Sequence, residues 1–366
     1  MAGPTGPVQP SGAPSSFTTA ERHAMSHALA LAQTPGVHLG PNPRVGCVLL
    51  DQAGETVAEG YHRGAGTPHA EADALARAGD RARGTTAVVT LEPCNHTGRT
   101  GPCAEALVAA DVARVVFGQA DPNPVAAGGA ATLRQAGVDV AQGLLADEAR
   151  AVNRAWTFGV EHGRPLVTWK FAATLDGRSA AVDGTSRWIS SEAARADTHR
   201  LRALSDVILA GTGTVLVDNP ELTVRDRDGV PLPHQPLRAV MGLRDLPVDR
   251  RVLSGVAETV VLRTRDPAAA LGELYRQGRQ HVFLEGGPTL GAAFLRAGLV
   301  DEVVAYVAPM LLGAGLSSVA DLDITTMADA VRFDVVDISV VGEGNDANAR
   351  FTLSPVPLGP TMSKEH

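Results

Sequence analysis

The chain has 366 residues, which favours two domains, and its hydrophobic share of 44% excludes a chain that is disordered throughout. Its formal net charge of −8 disfavours binding to nucleic acid, and it shows neither a secretory signal nor a run of about 18 apolar residues that would span a membrane. It has only three cysteines, and this small, odd number argues against a disulfide scaffold. The cysteine content therefore indicates a reducing, cytoplasmic location.

The first half of the chain predicts one αβα domain over residues 17–163. Residues 1–16 are rich in Pro, Gly and Ser and are expected to form a disordered tail. Apolar residues at helical spacing then alternate with β-branched runs. The predicted helices cover residues 18–33, 69–78, 103–110, 129–136 and 146–159, and the predicted strands cover residues 45–50, 55–61, 85–91, 113–117 and 138–140.

A second alternating series follows Gly163-Arg164-Pro165 and predicts an α/β domain over residues 164–356. Its predicted strands cover residues 166–172, 206–210, 237–241, 259–262, 281–284 and 303–307, and its predicted helices cover residues 190–203, 267–277 and 288–297. Residues 357–366 are expected to form a second disordered tail.

The first candidate site consists of one histidine, one glutamate and two cysteines. His69 and Glu71 stand at the start of a predicted helix, and Cys94 and Cys103 each follow a proline. One imidazole and two thiolates suit Zn²⁺, and three protein ligands leave the fourth position for water. Glu71 can then move a proton between that water and a leaving amine.

This pattern is the H-x-E…P-C-x-x-C signature of zinc nucleobase deaminases, with eight residues instead of two between the cysteines. The insert, residues 95–102, is polar and contains glycine, so it can loop away from the metal toward a substrate. His96 is a rival ligand, disfavoured because His69 has the paired glutamate. A closed zinc site or plain packing of the thiols is an alternative, but neither explains Glu71.

Three sequence stretches in the first half carry a family resemblance. Residues 92–103 read EPCNHTGRTGPC, residues 41–48 read PNPRVGCV and residues 121–124 read DPNP. In these stretches the chain resembles the bifunctional deaminase/reductase family of riboflavin biosynthesis, over about residues 20–355. The family usually has proline in place of Gly101 and often serine in place of Asn95, and both changes bear on the loop between the ligands.

The resemblance implies a cytidine-deaminase-like first domain in which Asn42 lies in a loop that orients the pyrimidine substrate. A turn between two prolines is an equally open interpretation of Asn42. Cys47 lies inside a predicted strand and is interpreted as a small buried residue. His62 has no cysteine or carboxylate at ligand spacing and is expected to be an ordinary histidine.

A glycine turn marks a second candidate site. Residues 284–293 read LEGGPTLGAA, which predicts a strand, a glycine turn and a helix with proline in its first turn. Such a helix start offers free N–H groups to a phosphate. The turn is a weak signal by itself, and the pattern G-x-G-x-x-G is absent after the first strand of this half.

Four further stretches resemble the reductase half of the same family, which is similar to dihydrofolate reductase in fold and uses NADPH. Residues 170–178, 186–189, 213–220 and 222–225 read KFAATLDGR, SRWI, GTVLVDNP and LTVR. The resemblance implies NADPH contacts at Ala172, Trp188, Thr214, Asp218, Gly287, Pro288, Thr289, Leu290, Gly291, Ala292 and Ala293. It implies substrate contacts at Ser186, Arg202, Leu222, Arg225 and Glu285.

These residue types suit the implied roles. Arg202 and Arg225 can hold a substrate phosphate by charge-assisted hydrogen bonds. Taken without the resemblance, Arg202 would be a solvated charge and Trp188 a core residue. Many relatives end a strand with Asp-Ser where this chain has Gly242-Leu243, a change that bears on one side-chain contact to the cofactor.

The resemblance implies two reactions on 2,5-diamino-6-ribosylamino-4(3H)-pyrimidinone 5′-phosphate. Zinc-dependent hydrolytic deamination is followed by NADPH-dependent reduction of the ribosyl to a ribityl group, with Lys170 or Asp176 conceivable as proton donor. Self-association into a dimer or tetramer through the second domain is expected. The alternatives are a deaminase of another nucleobase or nucleotide with a degenerate or differently specific reductase, and a zinc-stabilised nucleotide sensor without turnover.

Overall fold

The computed structural model describes residues 17–34, 40–96 and 101–356, and the predicted tails lie outside these ranges. The chain divides into two compact units, the first ending at Glu161 and the second beginning at His162. Across the described ranges, every helix is too short or too polar to cross a membrane.

The first unit is a five-stranded sheet with helices on both faces. Its helices are α1 (Thr19–Ala32), α2 (Ala70–Ala78), α3 (Cys103–Ala109), α4 (Gly129–Gln135), α5 (Ala146–Val152) and α6 (Arg154–His162), and its strands are β1 (Gly46–Leu50), β2 (Thr56–Tyr61), β3 (Thr86–Leu91), β4 (Arg114–Gln119) and β5 (Asp139–Gln142). The strand order is β2-β1-β3-β4-β5, with β1 antiparallel to both neighbours and β3, β4 and β5 parallel.

Two apolar clusters pack against the opposite faces of this sheet. One joins α2, α3 and α4 to the sheet, and the other joins α1 and α5 to it. The α1 helix begins with a capping box, in which the Thr18 hydroxyl accepts from the Glu21 N–H and the Glu21 carboxylate accepts from the Thr18 N–H. The cluster that contains α2 and α3 lies on the face that positions the metal-ligand candidates.

The prediction of one helix over residues 146–159 is wrong, because α5 and α6 are separated at Asn153. The Asn153 side chain is buried, accepts from the Arg44 N–H over 2.7 Å and donates to the Arg44 carbonyl over 2.9 Å. A buried amide that pairs with a distant backbone segment satisfies groups that would otherwise lack partners. The break therefore fixes the segment that carries Asn42.

The second unit contains an eight-stranded mixed sheet. Its helices are α7 (Glu192–Ala203), α8 (Thr212–Asp218), α9 (Pro267–Arg276) and α10 (Pro288–Arg296), and its strands are β6 (Leu166–Thr174), β7 (Arg178–Ala180), β8 (Val207–Gly211), β9 (Leu237–Met241), β10 (Thr259–Leu262), β11 (His281–Leu284), β12 (Glu302–Ala308), β13 (Leu316–Ser317), β14 (Phe333–Val341) and β15 (Asn348–Pro355). The strand order is β10-β9-β8-β11-β6-β12-β15-β14, and β7 and β13 form a separate pair.

The strands from β10 to β12 in this order are parallel, and β15 and β14 extend the sheet in antiparallel fashion. The α/β class predicted for both halves is confirmed. Helix α8 and strands β7, β13, β14 and β15 were not predicted from the sequence. Because the carboxyl ends of parallel strands meet at one edge, the segments after β6, β8, β9 and β11 are brought together there.

Candidate functional site

Three potential metal ligands converge in the first unit. His69 precedes α2, Cys94 follows β3, and Cys103 begins α3. The Nδ1 atom of His69 lies 3.5 Å from the Cys94 Sγ and 3.3 Å from the Cys103 Sγ, and all three ligand atoms lie within 4.8 Å of one another. Tetrahedral zinc with ligand distances of about 2.0 Å to nitrogen and 2.3 Å to sulfur requires N···S separations of about 3.5 Å. The donor chemistry and the spacing therefore fit zinc.

The two thiols differ in how readily they lose a proton. The hydrogen bond from Cys103, together with the nearby His69, lowers the pKa of the Cys94 thiol to about 4. Hydrogen bonding with Cys94 and burial raise the pKa of Cys103. The Cys94 thiolate thus forms readily, and its negative charge opposes deprotonation of Cys103. A bound cation would offset that charge and allow the second thiol to lose its proton.

Glu71 lies in the first turn of α2, with only 3% of its surface exposed. Burial raises the pKa of its carboxyl to about 7. A carboxyl whose pKa lies near neutrality can both accept and return a proton under working conditions. Glu71 is therefore suited to proton transfer and stands beside the cluster without being one of its ligands.

A cavity of about 170 Å³ opens onto the cluster. Asn42 and Glu71, both predicted site residues, line it together with His69 and Cys94. The size of the cavity and its polar walls suit a small ligand that is held by a few directed hydrogen bonds.

The cavity wall also contains residues that the sequence analysis did not select, His62, Asp121 and Asn123. The His62 ring stands edge-on to His69 with ring centroids 5.4 Å apart, and its Nε2 lies 3.0 Å from the Asn42 Nδ2. Burial lowers the pKa of His62, so its imidazole is neutral at pH 7. The expectation that His62 is an ordinary histidine rested on ligand spacing alone, which does not reveal a cavity wall.

Glu92 ties two segments of the cavity wall together. Its carboxylate accepts from the backbone N–H groups of Asp121, Gly128 and Ala130 at 3.2, 3.3 and 3.0 Å. At Gly129 a Cβ atom would lie 1.8 Å from the Pro93 carbonyl oxygen, so only glycine permits this approach. Glu92 and this contact hold the segment with Asp121 against the segment with Cys94.

The segment between the two cysteines is described only in part. His96 lines the cavity, but within the described residues it does not join the cluster of potential ligands. Asn95 accepts from the Thr132 hydroxyl over 3.0 Å, and open space surrounds Gly101. Residues 97–100 lie outside the described ranges.

A buried ion pair organises the second unit. Arg202 of α7 donates to both carboxylate oxygens of Glu285, which follows β11, and to the Thr223 carbonyl over 2.7 Å. Burial opposes charge on both partners, but their mutual attraction raises the pKa of Arg202 and lowers that of Glu285. Both groups are therefore charged. Lys170 lies half-buried near this pair, and partial burial of its ammonium group lowers its pKa.

The segment after α8 brings the other predicted substrate residues to the same place. Arg225 donates from Nε to the Thr223 hydroxyl over 3.0 Å, and its guanidinium pairs with Glu221. Leu222 is buried and has a positive φ of 53°. His199, whose pKa is lowered to about 4 by burial and by Arg202, accepts from the Arg225 N–H over 3.2 Å. Arg202, Glu285, Leu222 and Arg225 thus form one neighbourhood.

The predicted cofactor residues fall into two groups. Thr214, near the start of α8, lies beside the glycine turn, because a Cβ atom at Gly287 would lie 3.6 Å from the Thr214 hydroxyl. The turn leads into α10, where residues 288–293 form the first turns. Ala172 lies in β6 beside Tyr306 of β12.

Trp188, Ser186 and Asp218 are exposed. The Trp188 ring is stacked against the Arg195 guanidinium, 4.4 Å from the ring centroid. The Asp218 carbonyl accepts from the Arg187 side chain over 3.4 Å. These three residues are not brought into the neighbourhood of Glu285 by any of these contacts.

Asp176, one of the two conceivable proton donors, has a different role in the structure. Its carboxylate accepts from the Thr174 hydroxyl over 2.6 Å and from the Gly313 N–H over 2.7 Å. These bonds lower the pKa of Asp176, the one from Thr174 most of all. Asp176 is therefore an ionised acceptor that holds the segment around Gly313.

Two family profiles match the chain. The family described as "Cytidine and deoxycytidylate deaminase zinc-binding region" matches residues 18–119, and the family described as "RibD C-terminal domain" matches residues 165–346. The first match contains His69, Glu71, Cys94 and Cys103, and the second contains the Arg202–Glu285 pair. The predicted order of a deaminase domain followed by a reductase domain is confirmed.

Curated relatives match most of the chain. The riboflavin biosynthesis protein RibD of Mycobacterium tuberculosis (strain H37Rv) is 50% identical over 303 residues, which cover 82% of this chain and 89% of the relative. RibD of Escherichia coli (strain K12) is 42% identical over 359 residues, which cover 88% of this chain and 97% of the relative.

Solved structures match at the level of the whole fold. Acinetobacter baumannii RibD superposes with a TM-score of 0.82 at 37% identity, covering 92% of this chain and 99% of that one. A Thermotoga maritima diaminohydroxyphosphoribosylaminopyrimidine deaminase/5-amino-6-(5-phosphoribosylamino)uracil reductase superposes with a TM-score of 0.79 at 30% identity, with the same coverage of 92% and 99%.

Proposed function

The chain belongs to the RibD family of bifunctional deaminase–reductases of riboflavin biosynthesis, and we propose that each reaction is carried out by the residues assembled in one of its units. Residues 17–163 carry the zinc-dependent deaminase, and residues 164–356 carry the NADPH-dependent reductase. The substrate of the first reaction is 2,5-diamino-6-ribosylamino-4(3H)-pyrimidinone 5′-phosphate, and the deaminated product is the substrate of the second.

In the deaminase, His69, Cys94 and Cys103 hold the zinc ion. Zinc bound there supplies the Lewis acidity that makes water a nucleophile at neutral pH. Glu71 would take up on its buried carboxyl the proton that the attacking water loses and return it to the departing ammonia. Asn42 contributes to holding the pyrimidine in the cavity, where the neutral His62 fixes the Asn42 amide by the contact at 3.0 Å.

In the reductase, NADPH supplies the hydride that reduces C1′ of the open-chain ribose imine. Gly287, Pro288, Thr289, Leu290, Gly291, Ala292 and Ala293 bind the cofactor, together with Ala172, Trp188, Thr214 and Asp218. The N-terminus of α10 favours the negative charge of the pyrophosphate.

Glu285, Arg202, Leu222 and Arg225 form the substrate site of the reductase, and Ser186 is assigned to it from the family resemblance alone. Glu285 accepts hydrogen bonds from the sugar hydroxyls, and the two bonds from Arg202 fix its orientation. Arg202 and Arg225 attract the substrate phosphate by their positive charge. Lys170, whose lowered pKa eases proton release, donates the proton that accompanies the hydride.

The observation that carries the proposal is the convergence of His69, Cys94 and Cys103 on the cavity that also contains the buried Glu71. A closed structural zinc site needs no buried carboxyl with a pKa near 7 beside an accessible cavity. A zinc-stabilised sensor would share the ligands but would gain nothing from that carboxyl. The arrangement therefore favours turnover.

A coupled assay on the purified, zinc-loaded chain tests the proposal. The diaminopyrimidine ribosyl phosphate and NADPH are supplied together, while ammonia and NADPH absorbance are followed with cytidine as the comparison substrate. We expect ammonia release, then NADPH consumption, and neither with cytidine. Ammonia without NADPH loss would indicate a degenerate reductase, and activity on cytidine would contradict the assigned substrate.

We further propose that the chain forms a homo-oligomer through its second unit and works in the cytoplasm. Strand β14 is an edge strand that exposes several large apolar side chains, which a second copy would cover. All three cysteines are free thiols, which suits a reducing compartment.

A further inference from the structure

Arg244 lies over the start of α8. A Cβ atom at Gly213, the second residue of α8, would lie 3.0 Å from Nη2 of Arg244. The guanidinium therefore approaches the Gly213 backbone closely. Arg244 follows β9, whose carboxyl end lies beside that of β8.

The two residues before Arg244 offer no polar side chain near the start of α8. Gly242 has a φ of 148°, and a Cβ atom there would lie 2.4 Å from the Thr212 hydroxyl oxygen. The Thr212 side chain thus fills the space that a residue-242 side chain would need. Leu243 is exposed and apolar. Residues 242 and 243 therefore offer neither a charged nor a hydroxyl side chain to a bound anion.

Arg244 is not neutralised by an acidic neighbour within the described part of the chain. The adjacent Asp245 pairs with Arg263 at 2.6 Å, and Arg263 also donates to the Leu243 carbonyl over 3.3 Å. The Arg244 guanidinium, with five N–H donors in a planar fork, is therefore available to an anion near the start of α8.

Arg244 and the glycine turn at Gly287 lie at the same edge of the sheet, so two anionic groups of one cofactor could contact both. Thr214 connects the two places, since it follows Gly213 and lies beside Gly287. Strand β9 is two strands away from β11, which corresponds to about 10 Å. If NADPH bound with its pyrophosphate at the start of α10, a helix of nine residues, its 2′-phosphate would be within reach of the segment that follows β9.

We propose that Arg244 binds the 2′-phosphate of NADPH and gives this reductase its preference for NADPH over NADH. The inference rests on the proposed NADPH site at Thr214 and the Gly287 turn. Among residues 242–244, only Arg244 has a side chain that can pair with an anion. Its guanidinium lies close to the Gly213 backbone at the start of α8.

Cofactor binding to the full, zinc-loaded chain tests this inference independently of turnover. Dissociation constants for NADPH and NADH are measured by titration of the unaltered chain, of Arg244→Gln and of Arg265→Gln, an exposed arginine that follows β10. Because a charge-assisted hydrogen bond contributes about 1.5–3 kcal/mol, Arg244→Gln should weaken NADPH binding about 10- to 100-fold. NADH binding should change less than about twofold, and Arg265→Gln should bind both like the unaltered chain.

A competition with 2′,5′-ADP and 5′-ADP isolates the phosphate. The unaltered chain should bind 2′,5′-ADP more tightly, and Arg244→Gln should remove most of that difference. Unchanged NADPH affinity in Arg244→Gln, or an equal loss for NADH, would overturn the inference and leave the reductase assignment in place. If the unaltered chain bound neither dinucleotide, the inference and the proposed reductase would both be overturned.

Discussion

The Glu92 carboxylate accepts a hydrogen bond from the backbone N–H of Asp121 over 3.2 Å, and its second oxygen accepts from Gly128 and Ala130. Glu92 lies two residues before Cys94, so this carboxylate joins a metal-ligand segment to the segment with Asp121 and Asn123. Hydrogen bonds from backbone N–H groups stabilise a buried carboxylate in place of the water that it loses on burial.

Replacing Glu92 by glutamine should impair deamination without removing zinc. The glutamine amide turns one acceptor into a donor that faces backbone N–H groups, at a cost of about 1–3 kcal/mol. If the cavity residues are displaced and transition-state binding is weakened by this free energy, the kcat/KM of deamination should fall about 5- to 100-fold. Ammonia release and metal content would be measured on the same preparation.

The bifunctional chain supplies an internal control for Glu92→Gln, because reduction of the deaminated intermediate should continue at its normal rate. Glu55→Gln, at an exposed glutamate of the same unit, should leave both reactions unchanged. Loss of zinc together with activity would show that Glu92 maintains the metal site itself and not the cavity wall.

Glu71→Gln should abolish deamination while zinc stays bound. The substitution keeps the shape of the side chain and removes its ability to accept a proton, and general acid–base catalysis typically contributes 10²–10⁴-fold. Zinc content by atomic absorption and ammonia release would be compared with the unaltered chain. A variant that lost its zinc would instead indicate that the carboxyl supports the ligands.

Arg202→Gln should destabilise the second unit, because it leaves the Glu285 carboxylate buried without its cation. Removing one member of a buried pair typically costs about 3–5 kcal/mol. Reduction should be lost and deamination retained, as measured by NADPH consumption and ammonia release. The double variant Arg202→Gln/Glu285→Gln should recover thermal stability but not reduction.

A dephosphorylated substrate separates the two roles of Arg202. If Arg202 acts on the phosphate as well as on Glu285, its replacement should weaken the KM preference for the phosphorylated compound. A variant of unchanged stability and unchanged reductase KM would contradict both roles.

The zinc site could be predicted from the sequence because its chemistry is encoded over short distances. His69 and Glu71 are two residues apart, and Cys94 and Cys103 each follow a proline at a strand end or a helix start. Ligand type and local position then suffice to indicate zinc. The glycine turn at Gly287 was weaker evidence because its pattern is common to many strand–helix connections.

The remaining site features depend on contacts between distant segments. The partners of Glu92 lie 29 to 38 residues away, and Arg202 and Glu285 are 83 residues apart. No local pattern marks such pairs, so Arg202 alone would be interpreted as a solvated charge. The break at Asn153 had the same origin, because its partner Arg44 lies 109 residues away.

Asp121→Asn should stabilise the first unit at neutral pH. Burial raises the pKa of Asp121 from its ordinary value of 3.8 to about 6. The folded chain therefore binds the Asp121 proton more tightly than the unfolded chain does. The stability that this proton contributes is fully present below pH 3.8 and is lost as the pH rises through about 6. This difference in pKa corresponds to at most about 3 kcal/mol in the free energy of unfolding. Partial exposure of the carboxyl reduces it to about 1–2 kcal/mol.

Asparagine retains the acceptor for the Asn123 N–H, which Asp121 now binds over 2.8 Å. Urea unfolding of metal-free samples should show the variant more stable at pH 8 and nearly equal to the unaltered chain at pH 4. Equal stability at both values would mean that the carboxyl is well solvated in the folded state. Because Asp121 lines the cavity, a lower rate of deamination would accompany the gain in stability.

The edge strand β14 should mediate the association of two copies. Ile338 and Val340 are 58% and 73% exposed, although the neighbouring Val341 packs with Tyr306 and Ala194. Side chains alternate along a strand, so Ile338 and Val340 lie on the opposite face from that cluster. Within the described residues β14 pairs with β15 alone, and an apolar edge of this kind is open to a second strand.

Ile338→Lys and Val340→Lys should therefore shift the chain to monomers, as measured by sedimentation velocity at micromolar concentration. Val248→Lys is the matched control, since Val248 is 94% exposed in a loop away from this edge and its replacement should leave the assembly unchanged. Deamination should persist in the monomers because the zinc site lies within the first unit. If both variants stayed oligomeric, the interface would have to lie elsewhere. If the unaltered chain were a monomer, the proposal that a second copy covers β14 would be wrong.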